Sequence, residues 1–291
     1  NITMLTLLAV ILRIVSNPFS NVFQKRLTME GRDPLMVNFV SYLLLSVVCI
    51  VLAISVNWAV LPWQFWAFAA AGGVFGAVGN GCLVQALKGG DLSILGPINS
   101  YKSVVGMLVA IIMLGELPSL LGLGGVIVII LGSYFVFDTT PEGFSWSVLR
   151  NKAIQYRIYA MVLTAIEAVF IKQVIIYSDA TTAFIVWCWF GAFFAFVQLM
   201  VMRVEIKREW SGITAQDWLV FFALITCIGT MQFTTNYVFK HMQVGYALAL
   251  FQLSTLVSIA LGYRLFHEQD IAKKSLGSVI MIAGSIMIIF G

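Results

Sequence analysis

The sequence has little charge and almost no histidine. Only 10% of its 291 residues are charged, and its two histidines, His241 and His267, lie at the ends of apolar runs. It contains no His–Glu–x–x–His motif, no Gly–x–Ser–x–Gly motif and no pair of aspartates within an apolar run. These absences exclude the residue patterns of membrane metalloproteases and membrane aspartyl proteases. The sequence therefore predicts a protein that is not an enzyme, and it suggests no cofactor and no metal.

Hydrophobic residues, by contrast, make up 60% of the chain, and the mean hydropathy is +0.97. This composition is far from the balance of a soluble domain. Apolar runs of roughly 20 residues recur, and each is long enough to cross about 30 Å of hydrocarbon. The runs lack the alternation of an outer-membrane barrel, and the four cysteines all lie inside them, which favours packing over disulfides. We therefore expect an all-α polytopic membrane protein.

Ten transmembrane helices are predicted from these runs. They cover residues 2–25, 34–56, 63–87, 92–115, 119–137, 153–177, 181–203, 216–240, 245–266 and 272–290. Several connections are very short, so consecutive helices must be antiparallel neighbours.

An internal duplication organises the chain. Residues 87–137 resemble residues 239–289 at a constant offset of 152. The matching pairs are Lys88 and Lys240, Glu116 and Glu268, Gly125 and Gly277, Gly132 and Gly284, and Ser133 and Ser285. A weaker match relates residues 22–25 to residues 169–172. Since five helices per half is an odd number, the second copy must enter the membrane from the other side. The sequence predicts two inverted five-helix repeats, residues 1–137 and 153–291, joined by a linker at 138–152.

The basic residues predict an orientation. Thirteen of the seventeen, Arg157 among them, fall on the side of the loops that follow odd-numbered helices, and two, Lys172 and Lys240, fall on the other side. By the positive-inside rule the first side is cytoplasmic, which places both termini outside. We expect the protein in a bacterial inner membrane.

Polar residues inside the spans need a reason to be there, because a charge near the middle of a bilayer costs about 3 kcal/mol or more. Arg13, Lys102 and Glu167 lie near the middle of the first, fourth and sixth spans. The full set of predicted substrate-binding residues is Arg13, Asn17, Asn80, Asn99, Lys102, Glu167, Gln232, Asn236, Gln252 and Ser254. Such a set predicts an interior that is wet or filled by a ligand.

Two interpretations of the three charges stay open. In the first, Arg13 and Glu167 form a buried ion pair, and loss of either partner destabilises the fold. In the second, Arg13 and Lys102 hold a carboxylate or phosphate, while Glu167 holds an amine or carries a coupling proton. Two positive charges and one negative charge favour an anionic or zwitterionic ligand.

The sequence resembles a known family. Residues Ser103–Glu116 with Leu121–Phe137, and Thr255–Glu268 with Gly277–Ile289, are similar to the fourth and fifth helices of the two repeats of EamA-type members of the drug/metabolite transporter superfamily. The chain departs from the family pattern in two respects, since Ser103 and Thr255 stand where the family often has proline and His267 replaces a glycine. The predicted orientation also differs, because the family usually keeps both termini cytoplasmic. The resemblance implies a ten-helix transporter with alternating access around a cavity formed by helices one to four and six to nine.

We therefore expect a secondary transporter that moves a small polar metabolite, such as an amino acid or another organic anion or zwitterion. Its partners would be that substrate, the lipid bilayer, and protons or a counter-substrate, with no nucleic acid; monomer and homodimer both stay open. The alternatives are an exporter of cationic or aromatic compounds, and a lipid flippase or scramblase. A flippase should show a lateral polar groove open to lipid.

Overall fold

The computed structural model describes residues 4–105, 108 and 119–290, and these form helices and connecting turns without any strand. The helices are α1 (Met4–Met29), α2 (Pro34–Ala53), α3 (Trp63–Gly89), α4 (Leu92–Leu95), α5 (Leu120–Phe137), α6 (Lys152–Tyr177), α7 (Ala180–Val201), α8 (Ala215–His241), α9 (Val244–Phe266) and α10 (Ile271–Phe290). A short helix, Ile206–Ser211, lies between α7 and α8.

Nine of these helices, all except α4, are long and apolar enough to cross a membrane within the described part of the chain. Their bounds agree with nine of the predicted spans to within a few residues, so the prediction of a polytopic helical membrane protein is confirmed. The fourth span, predicted at 92–115, is described only over its first part. Glu116, one of the repeat-matched residues, lies outside the described residues.

Two of the predicted spans are not continuous helices. The fourth begins with the single turn of α4, changes to a 3-10 helix at Pro97–Ser100, and is α-helical again over residues 101–105. The ninth, α9, consists of Val244–Phe251 and Ser254–Phe266 with an interruption at residues 252–253. Proline at position 97 removes a backbone donor and explains the first interruption, whereas the second contains neither proline nor glycine.

Short polar residues fix where several helices begin. The carboxylate of Asp33 accepts hydrogen bonds from the amides of Leu35 and Met36 at the start of α2. Asp179 does the same for α7, and Thr214 forms a capping box with Asp217 at the start of α8. Each cap satisfies amides that a helix leaves free at its N-terminus, and it therefore defines where the helix begins.

The two halves of the chain are packed together helix by helix. Helix α1 lies along α8, α3 lies along α6, and α2 crosses α7. Helices α5 and α10 form a separate pair beside these six. The buried apolar core therefore consists mainly of contacts between residues from different halves.

Glycine allows the close approach of α5 and α10. A β-carbon at Gly125 would lie 2.6 Å from the carbonyl oxygen of Gly284, and one at Gly132 would lie 2.7 Å from the carbonyl oxygen of Gly277. The backbones are thus in direct contact at two points, as in the packing of small residues between membrane helices. The glycines that mark the duplication in the sequence are the residues that join these two helices.

Candidate functional site

A polar cavity lies between α1, α2, α3, α7 and α8. Its volume is about 40 Å³, and it is lined by Asn17, Ser20, Asn21, Gln24, Asn38, Ser41, Tyr42, Asn80 and Trp187 together with four apolar residues. A cavity of this size holds on the order of three water molecules. Asn17 and Asn80, two of the predicted binding residues, therefore line a space that is too small for a metabolite in this conformation.

Glu167 lies beside this cavity and is buried. Its carboxylate accepts a hydrogen bond of 2.7 Å from Nε1 of Trp187, and the absence of a side chain at Gly76 leaves room for it on α3. The Trp187 ring packs against Tyr42 with 4.7 Å between ring centroids, and the Tyr42 hydroxyl accepts a hydrogen bond of 2.8 Å from Asn80. Residues from α2, α3, α6 and α7 thus form one connected group around the carboxylate.

Arg13 contacts residues of α8 and α9. Its Nε donates a hydrogen bond of 2.9 Å to Oγ1 of Thr235, and the guanidinium lies 4.7 Å from the centroid of the Phe251 ring. Its Nη1 is buried and has no hydrogen-bond partner among the described residues. Arg13 and Glu167, both of which are described, do not form an ion pair with each other. The first interpretation of the charges is therefore not seen in this structure.

Lys102 follows the 3-10 helix of the fourth span and lies within electrostatic range of Arg157, Arg13 and Glu167. The three predicted charges therefore share one region of the membrane interior. With Arg157 included, this region contains three cationic side chains and one carboxylate.

The interruptions of the fourth and ninth spans meet each other. Nε2 of Gln252 donates a hydrogen bond of 2.9 Å to the carbonyl oxygen of Asn99. The side-chain oxygens of Asn99 and Gln252 are buried and without a partner among the described residues. A pocket of about 10 Å³ at this junction is lined by Asn17, Asn99, Arg157 and Ser254 among others. Two amide oxygens without a partner among the described residues therefore lie next to backbone that has left the regular helix.

Arg157 is a residue that the sequence analysis assigned wrongly. It was counted among the basic residues that flank the membrane, but it is 5% exposed and its Nε donates a hydrogen bond of 2.8 Å to the carbonyl oxygen of Leu95. Its position near the start of α6, inside the predicted sixth span, was the signal in the sequence that could have indicated this burial. Without Arg157, the count of basic residues that predicts the orientation is twelve on one side of the membrane and two on the other.

Gln232 and Asn236 form a pair of their own. Their side-chain amides are hydrogen-bonded at 2.9 Å, and Asn236 is fully buried near the start of α7. Each therefore has a polar partner within the protein.

A buried ion pair closes the end of the cavity on the side where α1 ends. Nζ of Lys25 lies 3.4 Å from the carboxylate of Glu268 and donates a hydrogen bond of 2.8 Å to the carbonyl oxygen of Gly90. The same carboxylate accepts hydrogen bonds from the amides of Leu92 and Ser93, at 2.8 and 2.9 Å, and from the Ser93 hydroxyl. Glu268 thus binds α1 and the beginning of α4 to the end of α9. The sequence marked Glu268 as a repeat-matched residue but did not indicate this pairing.

No group of three or more histidine, cysteine, aspartate or glutamate side chains that could hold a metal ion occurs in the ranges the structure describes.

Comparison with known proteins gives the following results. The model of the EamA-like transporter family matches residues 4–138. One solved crystal structure is similar with a TM-score of 0.65 and 14% sequence identity, covering 96% of this chain and 95% of its own. At this identity the likeness shows the fold alone. The search of curated proteins found no significant match.

Proposed function

We propose that the chain, whose residues 4–138 match the model of the EamA-like transporter family, is a secondary transporter for a small zwitterionic or anionic metabolite such as an amino acid. The protein is an integral membrane protein.

The observation that carries the proposal is the junction of the two interrupted spans. Discontinuous helices at corresponding positions of two repeats are the usual place of substrate binding in secondary transporters. At the offset of 152, residues 97–100 correspond to residues 249–252, so the two interruptions overlap at one position and are otherwise adjacent. The side-chain oxygens of Asn99 and Gln252, which have no partner among the described residues, lie at their junction.

The charges around the junction support a zwitterion or an anion. Arg13, Lys102 and Arg157 are available to a carboxylate or phosphate, and charge-assisted hydrogen bonds of this kind are among the strongest in proteins. Glu167 is available to an amine, or to a coupling proton. Three cationic groups and one carboxylate leave a positive excess when the ligand is absent, which disfavours a purely cationic substrate.

Alternating access is supported by the closure of one end of the cavity. The Lys25–Glu268 pair joins α1, α4 and α9 on the side that the basic residues predict to be cytoplasmic. The reciprocal glycine contacts of α5 and α10 support two inverted repeats that use this pair as a fixed frame. We propose domains at residues 1–137 and 153–291, both termini outside, and a bacterial inner membrane.

The test is stabilisation of the purified protein by solutes. Amino acids, organic acids, sugar phosphates and amines are screened for an increase in melting temperature, because a ligand that binds the native state stabilises it by mass action. We expect an amino acid or another organic anion to stabilise the wild type. Arg13→Gln, Lys102→Gln and Glu167→Gln should each lose at least half of that increase while remaining folded.

Leu219→Phe serves as the control, because Leu219 is 72% exposed on α8 and should leave the increase unchanged. Stabilisation by amines alone would contradict the proposed substrate class and favour the exporter of cationic compounds. Loss of folding in all three variants, with no response of the wild type to any solute, would show that the charges are structural.

A further inference from the structure

A second and larger cavity lies between α1, α2 and α8, in the half of the membrane away from the Lys25–Glu268 pair. Its volume is about 660 Å³, within the range of about 300–1,000 Å³ that is usual for small-molecule sites. We call it the lateral chamber and define it by Leu8, Leu12, Leu45, Val48, Phe184 and Thr230, which line it. It offers the room for a ligand that the polar cavity of about 40 Å³ does not.

The lateral chamber opens toward the bilayer. Leu8, Leu12 and Val48 on its rim are 50%, 43% and 54% exposed, and all three lie within membrane-spanning helices. The medium outside the opening is therefore lipid hydrocarbon. An apolar group can reach the chamber from the bilayer without crossing a polar surface.

The wall of the lateral chamber is mostly apolar, and two of its four hydroxyl groups donate within their own helix. The hydroxyls of Thr226 and Thr234 on α8 donate to carbonyl oxygens of their own helix, at 2.8 Å to Phe222 and 2.6 Å to Thr230. Because these donors are already used within the helix, they do not direct a polar ligand. The chamber is suited to an alkyl chain.

One layer of side chains separates the lateral chamber from the polar cavity. Leu45 lines both spaces. Phe184, on the chamber side, stacks on Trp187 with 6.4 Å between ring centroids, and Trp187 donates the hydrogen bond to Glu167. A ligand with a charged group at Glu167 can therefore extend an apolar arm into the chamber if Leu45 and Phe184 change rotamer.

The corresponding place in the other half is closed. In the proposed repeats, the gap between α2 and α8 corresponds to the contact between α7 and α3. There, a β-carbon at Gly73 would lie 2.5 Å from Cβ of Phe190, and one at Gly81 would lie 2.7 Å from the side chain of Gln198. At α2 and α8, by comparison, a β-carbon at Gly229 would lie 3.2 Å from Cδ2 of Leu45. The chamber is thus present between α2 and α8 but not between α7 and α3, and it does not follow from the general shape of the fold.

We infer that the lateral chamber receives the alkyl arm of an amphipathic zwitterion or anion whose charged groups bind in the polar cavity, and that this arm passes between the cavity and the bilayer through the opening between α1, α2 and α8. The inference rests on the proposed transport function and narrows its substrate class. According to this inference, the occupant of the chamber is part of the substrate and not a phospholipid of the bilayer.

The experiment measures affinity along two homologous series. Straight-chain α-amino acids from alanine to 2-aminooctanoate, and straight-chain carboxylates from acetate to hexanoate, are titrated against the full chain in lipid nanodiscs by calorimetry. Transfer of one methylene from water to an apolar site corresponds to a change in affinity of about fourfold. We expect the dissociation constant to fall by about this factor for each added methylene in at least one series.

Two variants that fill the lateral chamber test where the arm binds. Thr230→Phe and Leu8→Trp should remove the dependence on chain length, leaving the affinity for the shortest member unchanged. Leu219→Phe, at an exposed position of α8 that does not line the chamber, should keep it.

The outcomes distinguish the two proposals. Binding that does not depend on chain length overturns the chamber inference and leaves the transport proposal standing, whereas absence of binding in both series and in the wider solute panel overturns the transport proposal itself. Equal weakening of all members by both filling variants also overturns the inference. The inference is also overturned if native mass spectrometry finds a phospholipid bound to the wild type but not to Thr230→Phe, and if the longer amino acids do not displace that phospholipid.

Discussion

Glu268 shows how one side chain can join three parts of a membrane protein. Its side chain is 2% exposed, and its charge is met by the ammonium of Lys25 and by two amides of α4. Removing water from an ion costs several kcal/mol, and this cost is offset only when the remaining hydrogen-bonding positions are filled. The amides of Leu92 and Ser93 fill them.

Lys25→Met should therefore lower the free energy of unfolding by about 3–5 kcal/mol, because it leaves the carboxylate of Glu268 buried without its cation. The double variant Lys25→Met/Glu268→Gln should recover part of this loss, since the uncompensated charge is gone. Chemical denaturation in mild detergent measures both values.

Arg26 is the matched control for this change. It lies next to Lys25 in the chain, but its ion pair with Glu30 is exposed, with side-chain exposures of 49% and 36%. Arg26→Met should cost about 1 kcal/mol or less. Equal losses for Arg26→Met and Lys25→Met would show that burial of the Lys25 pair is not what stabilises this end of the molecule.

The depth of a charge could be predicted from the sequence, but its partner could not. Counting from the ends of apolar runs identified Arg13, Lys102 and Glu167, and in the structure Lys102 lies within electrostatic range of the other two. The same count treated Arg157 as a flanking residue, because hydropathy alone does not show that the beginning of α6 lies against the carbonyl of Leu95. Trp187 was hidden among aromatic residues on every face of its helix, and only tertiary packing selects the one that meets Glu167.

At the scale of the helices, the sequence was enough to predict where the helices begin and end, but only one of the two interruptions had a signal in it. Pro97 indicated a change in the fourth span. The interruption of α9 at residues 252–253 had no such signal, because it accompanies a contact with a distant segment, the hydrogen bond from Gln252 to Asn99. Local sequence cannot report a backbone conformation that another helix stabilises.

The pairing of α5 with α10 gives a prediction that separates close packing from hydrophobicity. Gly284→Val should destabilise the protein by at least about 1–3 kcal/mol, because its β-carbon would lie 2.7 Å from the carbonyl oxygen of Gly125 and neither backbone can move freely. Gly124→Val adds the same atoms on the same pair of helices, but there the nearest atom is the flexible end of Met287 at 3.3 Å. It should cost less than about 1 kcal/mol.

Thermal unfolding in detergent compares these two variants. If Gly124→Val were as damaging as Gly284→Val, the loss would come from added bulk in general and not from the backbone contact between α5 and α10.

At the scale of the whole molecule, the sequence predicted which segments cross the membrane but not how they are arranged around the cavity. Membrane helices are apolar on most faces, so periodicity does not distinguish a lipid-facing surface from a packed one. The contacts of α1 with α8 and of α3 with α6 relate opposite halves of the chain, and they appear only in three dimensions. The duplication is the one long-range feature that the sequence contained.

If the two ends of the cavity open in turn, breaking the Lys25–Glu268 pair should change the distance between α1 and α9. Spin labels at Arg26 and Leu265, both exposed near this pair, should show one short distance in the wild type on a background without the native cysteines. Glu268→Gln weakens a contact that exists only when α1, α4 and α9 are together, so it should shift the population toward a second, longer distance. Double electron–electron resonance measures the distribution.

Labels at Ile127 and Val279, on α5 and α10, should keep a single distance, because these helices are joined by direct backbone contact. A distribution at Arg26 and Leu265 that stays unchanged in Glu268→Gln, while solute transport continues, would mean that this end of the molecule does not open during transport.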